Sequence, residues 1–488
     1  MPVERIRLAE EIETRDGTLG KDSRTVNAVF EKNGASLDFV KRPGLAYQLQ
    51  VTPVTPPTPL LSQGLFNFNN NLIAVISNTI YNINSGTFAV TTVGSTSAST
   101  SNTYAVKGLL DVNLFFHNKV NAYVLTNALV LNSSLTNMPA GPYVPGVVYL
   151  DNFYFIATAS DNRIYSSNYG DPTTWNALAY IVFNQTNDTL VGITKHLNYL
   201  VAFGKASTQF FYDAGTGTST VTPLGVAQSY TMETGCATAD SIVSTDNTVL
   251  WIGATRTHGR SVYLMDGVSP RKVSTASIDK VLEADGLSKV TSFGYKFYGH
   301  SLYVLTLHSS NLTIVYDLDT QTWTQWTQYA IASSDQANAG QWVESYFRGN
   351  YYAEANNIPY VLDDDTASIY YFSNTTYQDN GQPIYCRSVT GIRDNGTTHR
   401  KFYGRLEVVG DKVPGGILQA RHSGDDYQTW SSYRQVDLSA SRPQLYLGGA
   451  DRRRAWDFLC TSNTPLRLEG VEIDFRLGEL DQAQGQGA

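Results

Sequence analysis

The sequence predicts an all-β protein, with a β-propeller of six or seven blades over residues 60–384 and a C-terminal β-sandwich over residues 385–478. Three observations support this prediction. Short apolar runs recur at intervals of about 40 to 50 residues, which is the period of propeller blades. These runs are rich in strand-forming residues and too short for helices. After residue 384 the repeat gives way to the apolar–polar alternation that is typical of half-buried strands.

Composition excludes several classes of protein. Of the 488 residues, 42% are hydrophobic and only 16% are charged, whereas soluble proteins have about 25% charged residues. Intrinsic disorder needs the opposite balance, so we expect a folded chain. The formal net charge is −8, which argues against high-affinity binding of duplex DNA, because neutralising phosphates needs clustered Lys and Arg.

The cysteines and the first residues predict a chain that folds in a reducing cytoplasm. Cys236, Cys386 and Cys460 lie far apart and form no CxxC pair, so we expect neither a disulfide scaffold nor a zinc site. We interpret all three as buried small apolar residues. The N-terminus lacks the apolar core of a signal peptide, and no apolar run approaches the roughly 18 residues of a membrane helix.

Three segments are predicted to lie outside the two β domains. Residues 1–50 are interpreted as an N-terminal extended segment. Residues 51–59 read VTPVTPPTP and predict a linker, because Pro disrupts helices and central strands. Residues 479–488 are predicted to be a flexible tail.

Each repeat is predicted to be a strand, a tight turn, a second strand and a looser return. One such unit cannot bury both of its faces, but neighbours packed in a ring can. A Tyr recurs after an apolar residue in the second run, and we expect it to fill space between blades. The first runs begin near Leu72, Leu114, Phe153, Leu200, Val249, Leu302 and Tyr351, and the recurring residues are Tyr81, Tyr123, Tyr165, Tyr212, Tyr263, Tyr316 and Tyr370.

Local patterns predict turns and one helix. Residues 316–323 resemble a kelch turn and residues 167–175 an Asp-box turn, and each ends in Trp. We interpret both as structural, because Asp side chains accept backbone hydrogen bonds at such turns. Residues 277–283 are the best candidate for a helix, with Ser277 as its N-cap.

The sequence shows no catalytic motif and predicts no cofactor or metal. The GxSxG, HExxH and Walker patterns are absent, and the seven His residues are scattered over different predicted elements. The runs 363–365 and 317–319 carry Asp residues that could attract calcium. The second run starts like a calcium loop but lacks its Gly and Glu, and both runs are predicted to be solvated turns.

Two basic segments supply the candidate contact residues. Arg452, Arg453 and Arg454 form the densest basic run. This run either contacts nucleic-acid phosphates or an acidic partner, or it is an exposed hairpin turn. Lys41 and Arg42 precede a Pro–Gly pair that is interpreted first as a device that turns the chain, and they are the second candidate contact.

Nine short motifs together resemble one protein family. They are residues 22–27 (DSRTVN), 31–34 (EKNG), 41–45 (KRPGL), 190–193 (LVGI), 199–204 (YLVAFG), 210–212 (FFY), 233–237 (ETGCA), 274–281 (STASIDKV) and 465–473 (PLRLEGVEI). In their order along the chain they resemble the packaged-DNA stabilisation proteins, also called tail hubs or nozzles, of short-tailed bacteriophages. No motif is catalytic, so no site residue is transferred from the family.

The resemblance implies a structural protein of the virion tail, made in the host cytoplasm and without enzyme activity. Several copies, with six expected, would form a ring beneath the portal and adaptor. The ring would extend the channel, help to retain packaged DNA and let the DNA pass at infection without sequence specificity. It would also dock tail fibres or spikes and a tail-tip protein. No insertion into a membrane is expected.

Two alternatives remain open from the residues themselves. Residues 423–430 (SGDDYQTW) resemble an Asp box, with Tyr427 at the usual Gly position, and this motif suggests a sialidase-like glycosidase as one alternative. Such an enzyme needs three Arg residues that converge at one propeller mouth. The other alternative is a propeller that binds carbohydrate or protein and has no role in a virion.

Overall fold

The computed structural model divides the chain into two compact units. The propeller unit comprises residues 47–311 and 348–372, and the sandwich unit comprises residues 1–46, 312–347 and 373–488. Residues 54–59 of the predicted linker and the whole predicted tail lie outside the described residues. The described ranges are 3–15, 22–53, 60–184, 187–215, 221–257, 259–331, 342–446 and 448–478.

The chain opens with short strands of the sandwich unit. They are β1 Val3–Ile6, β2 Arg24–Val26, β3 Ala28–Asn33 and β4 Ser36–Lys41, and β5 Gly44–Gln50 follows them.

Five successive antiparallel sheets come next, all within the propeller unit. The first two sheets contain β6 Ser62–Phe68, β7 Asn71–Ile76, β8 Thr79–Ile83 and β9 Val90–Ser95, then β10 Tyr104–Lys107, β11 Asn113–His117, β12 Ala122–Thr126 and β13 Leu131–Asn132. The next two contain β14 Val148–Leu150, β15 Phe153–Ala157, β16 Arg163–Asn168 and β17 Asp171–Val182, then β18 Leu190–His196, β19 Tyr199–Gly204, β20 Thr208–Asp213 and β21 Leu224–Met232. The fifth contains β22 Gly235–Cys236, β23 Val243–Thr245, β24 Thr248–Ala254, β25 Ser261–Asp266 and β26 Ser269–Lys272.

The remaining elements alternate between the two units. Helix α1 spans Ala276–Ala284, and the hairpin of β27 Val290–Phe297 and β28 His300–Leu307 follows it. Strands β29 Leu312–Asp317, β30 Thr322–Ile331 and β31 Trp342–Tyr346 belong to the sandwich unit. The chain then forms β32 Gly349–Ala355, β33 Ile358–Asp363 and β34 Ser368–Ser373. It ends with β35 Gln378–Asp379, β36 Gln382–Pro383, β37 Cys386–Val389, β38 Lys401–Gly410, β39 Ile417–Ser423, β40 Arg434–Asp437, β41 Gln444–Tyr446, β42 Ala450–Asp451, β43 Ala455–Cys460 and β44 Arg467–Leu477.

The propeller unit closes on itself through the strands that line its centre. Strands β6, β10, β14, β18, β23, β27 and β32 contact one another in this order, and β32 contacts β6. The ring of sheets confirms the predicted all-β fold and its propeller. Closure also protects the inner edge of each sheet, because each central strand has a neighbour on both sides.

Tight turns join the central strands to the next strand of each sheet. The turns at Asn69–Asn70, Asp151–Asn152, Asp246–Asn247 and Asn356–Asn357 have both residues at positive φ. This is the geometry of a type I′ hairpin turn, which Asn and Asp tolerate better than other residues with a side chain. The strand–turn–strand unit predicted from the repeat therefore has a specific backbone basis.

Apolar clusters fill the space between successive sheets of the propeller unit. One cluster joins the first and second sheets through residues such as Ile73, Leu114 and Phe116, and further clusters join the later pairs. The recurring Tyr residues mostly pack as expected, since Tyr123, Tyr165 and Tyr370 are buried. Tyr212 is the exception, with 42% of its surface exposed.

The sandwich unit is built from distant parts of the chain. One sheet follows the order β3-β4-β44-β38-β41, with β1 beside β44, and a second layer follows β29-β30-β2-β37-β43-β39-β40. A single apolar core includes Phe30, Phe39, Trp456, Phe458 and Ile473. Burial of aromatic side chains from both ends of the chain stabilises this arrangement.

The domain organisation differs from the predicted one in two respects. The residues expected to form an extended N-terminal segment instead supply β1 to β4, because the hairpin of β3 and β4 carries Phe30 and Phe39 into the sandwich core. The segments 312–347 and 373–384 also belong to the sandwich unit rather than to the propeller unit. Short local patterns do not reveal pairing partners that lie hundreds of residues away in the chain.

Smaller predictions have mixed outcomes. The helix is present, but its N-cap is Thr275, whose side chain accepts a hydrogen bond from the backbone of Ile278, and not Ser277. All three Cys residues are free and buried, which confirms their interpretation as apolar packing residues. Among the described residues, no helix is long and apolar enough to cross a membrane.

Candidate functional site

Lys41 and Arg42 are buried inside the sandwich unit, so the structure contradicts their interpretation as contact residues. Arg42 is 0% exposed and binds Asp379 through two hydrogen bonds of 3.0 and 2.5 Å. It also donates to the carbonyl of Thr327 at 3.1 Å. Lys41 is 1% exposed and donates to the carbonyl of Ser462 at 2.8 Å. Both cations therefore tie distant strands together, as a buried charge must find partners.

Arg454 is also structural. It is 1% exposed, and its Nε donates to Asp451 Oδ2 at 2.7 Å. Its guanidinium carbon lies 3.8 Å from the centroid of the Tyr403 ring and 5.1 Å from that of Trp456. Burial lowers the pKa of Arg454 from its ordinary value. The residue anchors a turn by cation–π stacking and is not available to DNA.

Arg452 and Arg453 are the exposed members of the basic run. They form the bend between β42 and β43, with both side chains at the surface. Arg452 makes a long contact of 3.4 Å to the carbonyl of Thr398. Of the five candidate contact residues, these two are accessible to a partner. Their exposed bend is compatible with contact to phosphate or an acidic partner, and equally with a plain surface turn.

The acidic run at 363–365 is not the solvated turn that was predicted. Asp363 and Asp364 are buried. Asp364 accepts hydrogen bonds of 2.7 and 2.5 Å from Lys289, and Asp363 lies 3.5 Å from Arg348. Burial, followed by the nearby Asp365 carboxyl, raises the pKa of Asp363 to about 7. Among the described residues, no group of three or more metal-ligating side chains is found.

The Asp-box-like segment forms a turn of the sandwich unit. Asp425 accepts hydrogen bonds from the backbone and hydroxyl of Thr429 at 2.9 and 2.5 Å. These bonds lower the pKa of Asp425 to about 2. Tyr427, at the usual Gly position, has a φ of 64°. The second such turn is similar, since Asp171 accepts from the backbone of Thr173 at 2.8 Å. Both motifs form structural turns, as was predicted for residues 167–175.

A central cavity lies among the innermost strands of the propeller unit. Its volume is 320 Å³, which lies at the lower end of the range of small-ligand pockets, about 300 to 1,000 Å³. Every central strand or the loop before it contributes to the wall. The polar and aromatic lining residues include Phe66, Asn102, Thr103, Tyr104, Asp240, Thr291, Ser292, Phe293, Asn350, Tyr351 and Tyr352.

A hydrogen-bond network crosses the cavity wall between three blades. Asp240 Oδ1 accepts from Asn102 Nδ2 at 2.9 Å and from the Tyr104 hydroxyl. Tyr351 donates its hydroxyl to Asn102 Oδ1 at 2.7 Å. Because these residues lie on different sheets, the network fixes the positions of the central strands relative to one another.

Tyr104 and a neighbouring histidine are held neutral. Burial, followed by the Asp240 charge, raises the pKa of Tyr104 well above its ordinary value, so its hydroxyl stays a donor. The Tyr104 ring stacks on His117, with centroids 5.3 Å apart. His117 Nδ1 accepts from the backbone of Lys119 at 3.1 Å, and Nε2 donates to the carbonyl of Gly146 at 3.1 Å. Burial lowers the pKa of His117 to about 4, in keeping with this satisfied neutral tautomer.

Comparison with known families decides the affiliation of the chain. A family model described as "Bacteriophage P22 Gp10, beta-propeller" matches residues 48–377, which is more than half of the sequence. The chain belongs to this bacteriophage Gp10 β-propeller family. It is therefore a phage structural protein that associates with the virion, and the family resemblance noted from the nine motifs is confirmed. No curated protein matches the chain.

Solved structures that match are propellers of diverse kinds. Streptogramin B lyase has 10% identity over 66% of this chain and 96% of its own, with a TM-score of 0.40. Virginiamycin B lyase from Staphylococcus aureus has 10% identity over 67% of this chain and 98% of its own, with a TM-score of 0.42. BamB from Moraxella catarrhalis has 12% identity over 77% and 98%, with a TM-score of 0.37. Such low scores carry no argument about this member of the Gp10 family.

The lining of the central cavity of this Gp10-family propeller does not supply the Arg residues of the sialidase-like interpretation. It contains no Arg among the described residues, whereas that interpretation needs three. Sequence reasoning missed the network around Asp240, because no motif marks a single Asp before a short strand. The position of Asp240 within its repeat could have revealed the network, since Asn102 and Tyr351 also lie at the start of a repeat.

Proposed function

We propose that the chain is a subunit of the phage tail nozzle, or tail hub, which extends the portal–adaptor channel, retains packaged DNA and conducts it at infection. The family match over residues 48–377 carries the proposal. The motifs that resemble packaged-DNA stabilisation proteins extend the likeness beyond the propeller to residues 22–45 and 465–473.

A conduit for DNA must be formed by several copies of the chain. The cavity of one propeller unit has a volume of 320 Å³, which is the size of a pocket for a small molecule. Duplex DNA is far larger, since its major groove alone is about 12 Å wide and 8.5 Å deep. DNA therefore passes beside the propellers and not through one of them. A closed ring, with six copies as the proposed number, provides a channel on its symmetry axis.

The charge of the chain suits a channel that lets DNA slide. The net charge is −8, and three of the five candidate basic residues are buried with their own partners. A channel wall of this kind holds few counterion-releasing contacts, so it does not grip the passing polyanion. Arg452 and Arg453 are proposed as scattered contacts to phosphate or to an acidic partner.

Exposed apolar tips on the propeller unit support a role in assembly. The hairpin turns next to the central strands present Leu110 with 87%, Leu197 with 51% and Tyr298 with 72% of their surface exposed. The same turns in other sheets carry Asn and Asp. Apolar and aromatic side chains are enriched where proteins meet. We propose that these tips contact the neighbouring virion protein in the tail, whether adaptor, fibre or spike, or tail-tip protein.

The decisive experiment is a particle assembled with and without the chain. Particles that lack it are expected to package DNA and then lose it, so that nuclease degrades the released genome. Adding the purified chain to freshly packaged particles should restore protection. The proposal fails if particles without the chain keep their DNA, or if the purified chain neither oligomerises nor binds a portal–adaptor complex.

A further inference from the structure

Tyr212 presents a flat aromatic face at the surface of the propeller unit. Its ring lies across Gly225, the residue directly opposite on β21. A Cβ atom at residue 225 would lie 3.1 Å from Cζ of Tyr212 and 3.2 Å from both Cε1 and Oη. Because Cζ is no farther away than the two atoms bonded to it, the glycine lies beneath the face of the ring and not at its edge. The other face of the ring accounts for the 42% exposure of Tyr212.

A groove with a volume of 780 Å³ lies beside this ring. Small-ligand pockets have volumes of about 300 to 1,000 Å³, so the groove is large enough for a small molecule. Tyr199, directly opposite Tyr212 on β19, also lines it. Tyr230 on β21 is the third aromatic residue of the wall, and its ring centroid lies 5.9 Å from that of Tyr199. Three Tyr rings therefore form one continuous aromatic surface.

Polar groups with unused hydrogen-bonding capacity line the same groove. The three Tyr hydroxyls and the side-chain amides of Asn198 and Gln228 make no hydrogen bond within the described ranges. Asp213 Oδ1 accepts from the backbone of Gly215 at 2.7 Å, which leaves Oδ2 available. Asp151, from the turn between β14 and β15, supplies a second carboxylate. No Lys, Arg or His is among the described lining residues, so the groove repels anionic ligands.

We propose that this groove binds a short neutral oligosaccharide. One face of a sugar ring consists of C–H groups, which pack against an exposed aromatic face such as that of Tyr212. The sugar hydroxyls donate to the carboxylates and accept from the amides and the Tyr hydroxyls. A basic peptide would use the carboxylates and the rings but would leave these amides and hydroxyls unpaired. The inference concerns the propeller unit alone and does not depend on the proposed role in the tail.

The test is calorimetric titration of the full chain with four neutral trisaccharides, namely maltotriose, cellotriose, mannotriose and chitotriose. At least one of them is expected to bind, whereas tetralysine at the same ionic strength is not. Tyr212→Ala removes the aromatic face and should weaken binding of that trisaccharide about 10- to 100-fold. Tyr298→Ala removes a ring that is 72% exposed at the turn between β27 and β28. It serves as the control and should leave the affinity unchanged.

A second variant tests the position of the ring. Gly225→Ala places a methyl group where the ring of Tyr212 lies, so the ring must shift and binding should weaken about 2- to 10-fold. In the Tyr212→Ala background the same substitution should have no further effect, because no ring is left to displace. Thermal unfolding confirms that each variant is folded. The proposal is overturned if none of the trisaccharides binds, if tetralysine binds in their place, or if Tyr212→Ala keeps the wild-type affinity.

Discussion

Arg42 and Asp379 form a two-pronged ion pair inside the sandwich unit, with hydrogen bonds of 3.0 and 2.5 Å. The side chain of Arg42 is 0% exposed and that of Asp379 is 6% exposed. Arg42 also lies over the rings of Trp326 and Phe347, at 5.5 and 4.9 Å from their centroids. One cation thus connects the N-terminal part of the chain to two distant segments, which makes it a structural residue.

Replacing this arginine should destabilise the sandwich unit. Arg42→Met leaves Asp379 buried without its cation, and breaking a buried pair in this way costs about 3–5 kcal/mol. Denaturant unfolding followed by tryptophan fluorescence measures the decrease in stability. Arg452→Met, at an exposed bend, should change the free energy of unfolding by less than about 0.5 kcal/mol. An unchanged stability of Arg42→Met would refute the structural role.

The remaining basic candidates are Arg452 and Arg453. The double variant Arg452→Ala/Arg453→Ala should weaken binding to DNA and reduce the slope of log affinity against log salt by about 0.9 for each phosphate that is no longer neutralised. Arg7→Ala/Arg271→Ala removes the same charge from other exposed positions and controls for net charge. If the two double variants behave alike, the bend does not bind DNA specifically.

Asp363 should make the stability of the propeller unit depend on pH. Burial and Asp365 raise its pKa to about 7, whereas an unfolded Asp has a pKa of about 3.9. The folded state therefore holds the extra proton between these values, and the contribution of Asp363 to stability is lost as pH rises from about 4 to about 7.

The measurement is the difference between Asp363→Asn and wild type across this range. The variant has no proton to lose, so its stability relative to wild type should rise by about 1–3 kcal/mol between pH 4 and pH 8. Taking differences also cancels the opposite contribution of His117, whose lowered pKa favours folding as pH rises. Asp151→Asn, at an exposed turn of the same unit, should show no such trend. A flat difference for Asp363→Asn would contradict the burial argument.

Leu110 occupies a backbone conformation that suits Asn better than Leu. Its φ is 56°, and its side chain is 87% exposed. Leu110→Asn should therefore raise the free energy of unfolding by about 1 kcal/mol, as strain of this kind costs about 1–3 kcal/mol. Val130→Asn changes an exposed apolar residue without positive φ and should have little effect. No gain for Leu110→Asn would show that the turn is unstrained.

The same substitution tests the proposed assembly surface. If the apolar tips contact another virion protein, Leu110→Asn should incorporate poorly into particles although the free protein is more stable. Quantitative immunoblotting of purified particles measures incorporation against the major capsid protein. Normal incorporation of Leu110→Asn, Leu197→Asn and their double variant would exclude these two tips from the interface.

The propeller was predictable from the sequence, whereas the composition of the sandwich unit was not. Strands such as Tyr199–Gly204 recur along the chain at a regular spacing. This spacing is visible in the sequence even when the strands with which they pair are unknown. The strand Arg24–Val26, by contrast, pairs with Gln325 on one side and with Ser388 on the other. No local pattern specifies such pairing, since it depends on which buried groups meet in three dimensions.

Candidate contact residues show the same limit. Lys41, Arg42 and Arg454 are charged, and charged residues are expected at the surface when only the sequence is known. Each is buried because a specific acceptor lies opposite, namely Ser462, Asp379 and Asp451. The bend at residues 452–453 is exposed, as a hairpin turn was expected to be. Asp240 went unnoticed because a cavity exists only once the ring closes.

The most direct measurement of the central claim is an electron cryomicroscopy reconstruction of the virion at side-chain resolution. We expect six copies of the chain in a ring beneath the portal and adaptor, with DNA on the axis between propeller units. Finding the chain away from the tail axis, or finding copies that enclose no channel, would contradict the account.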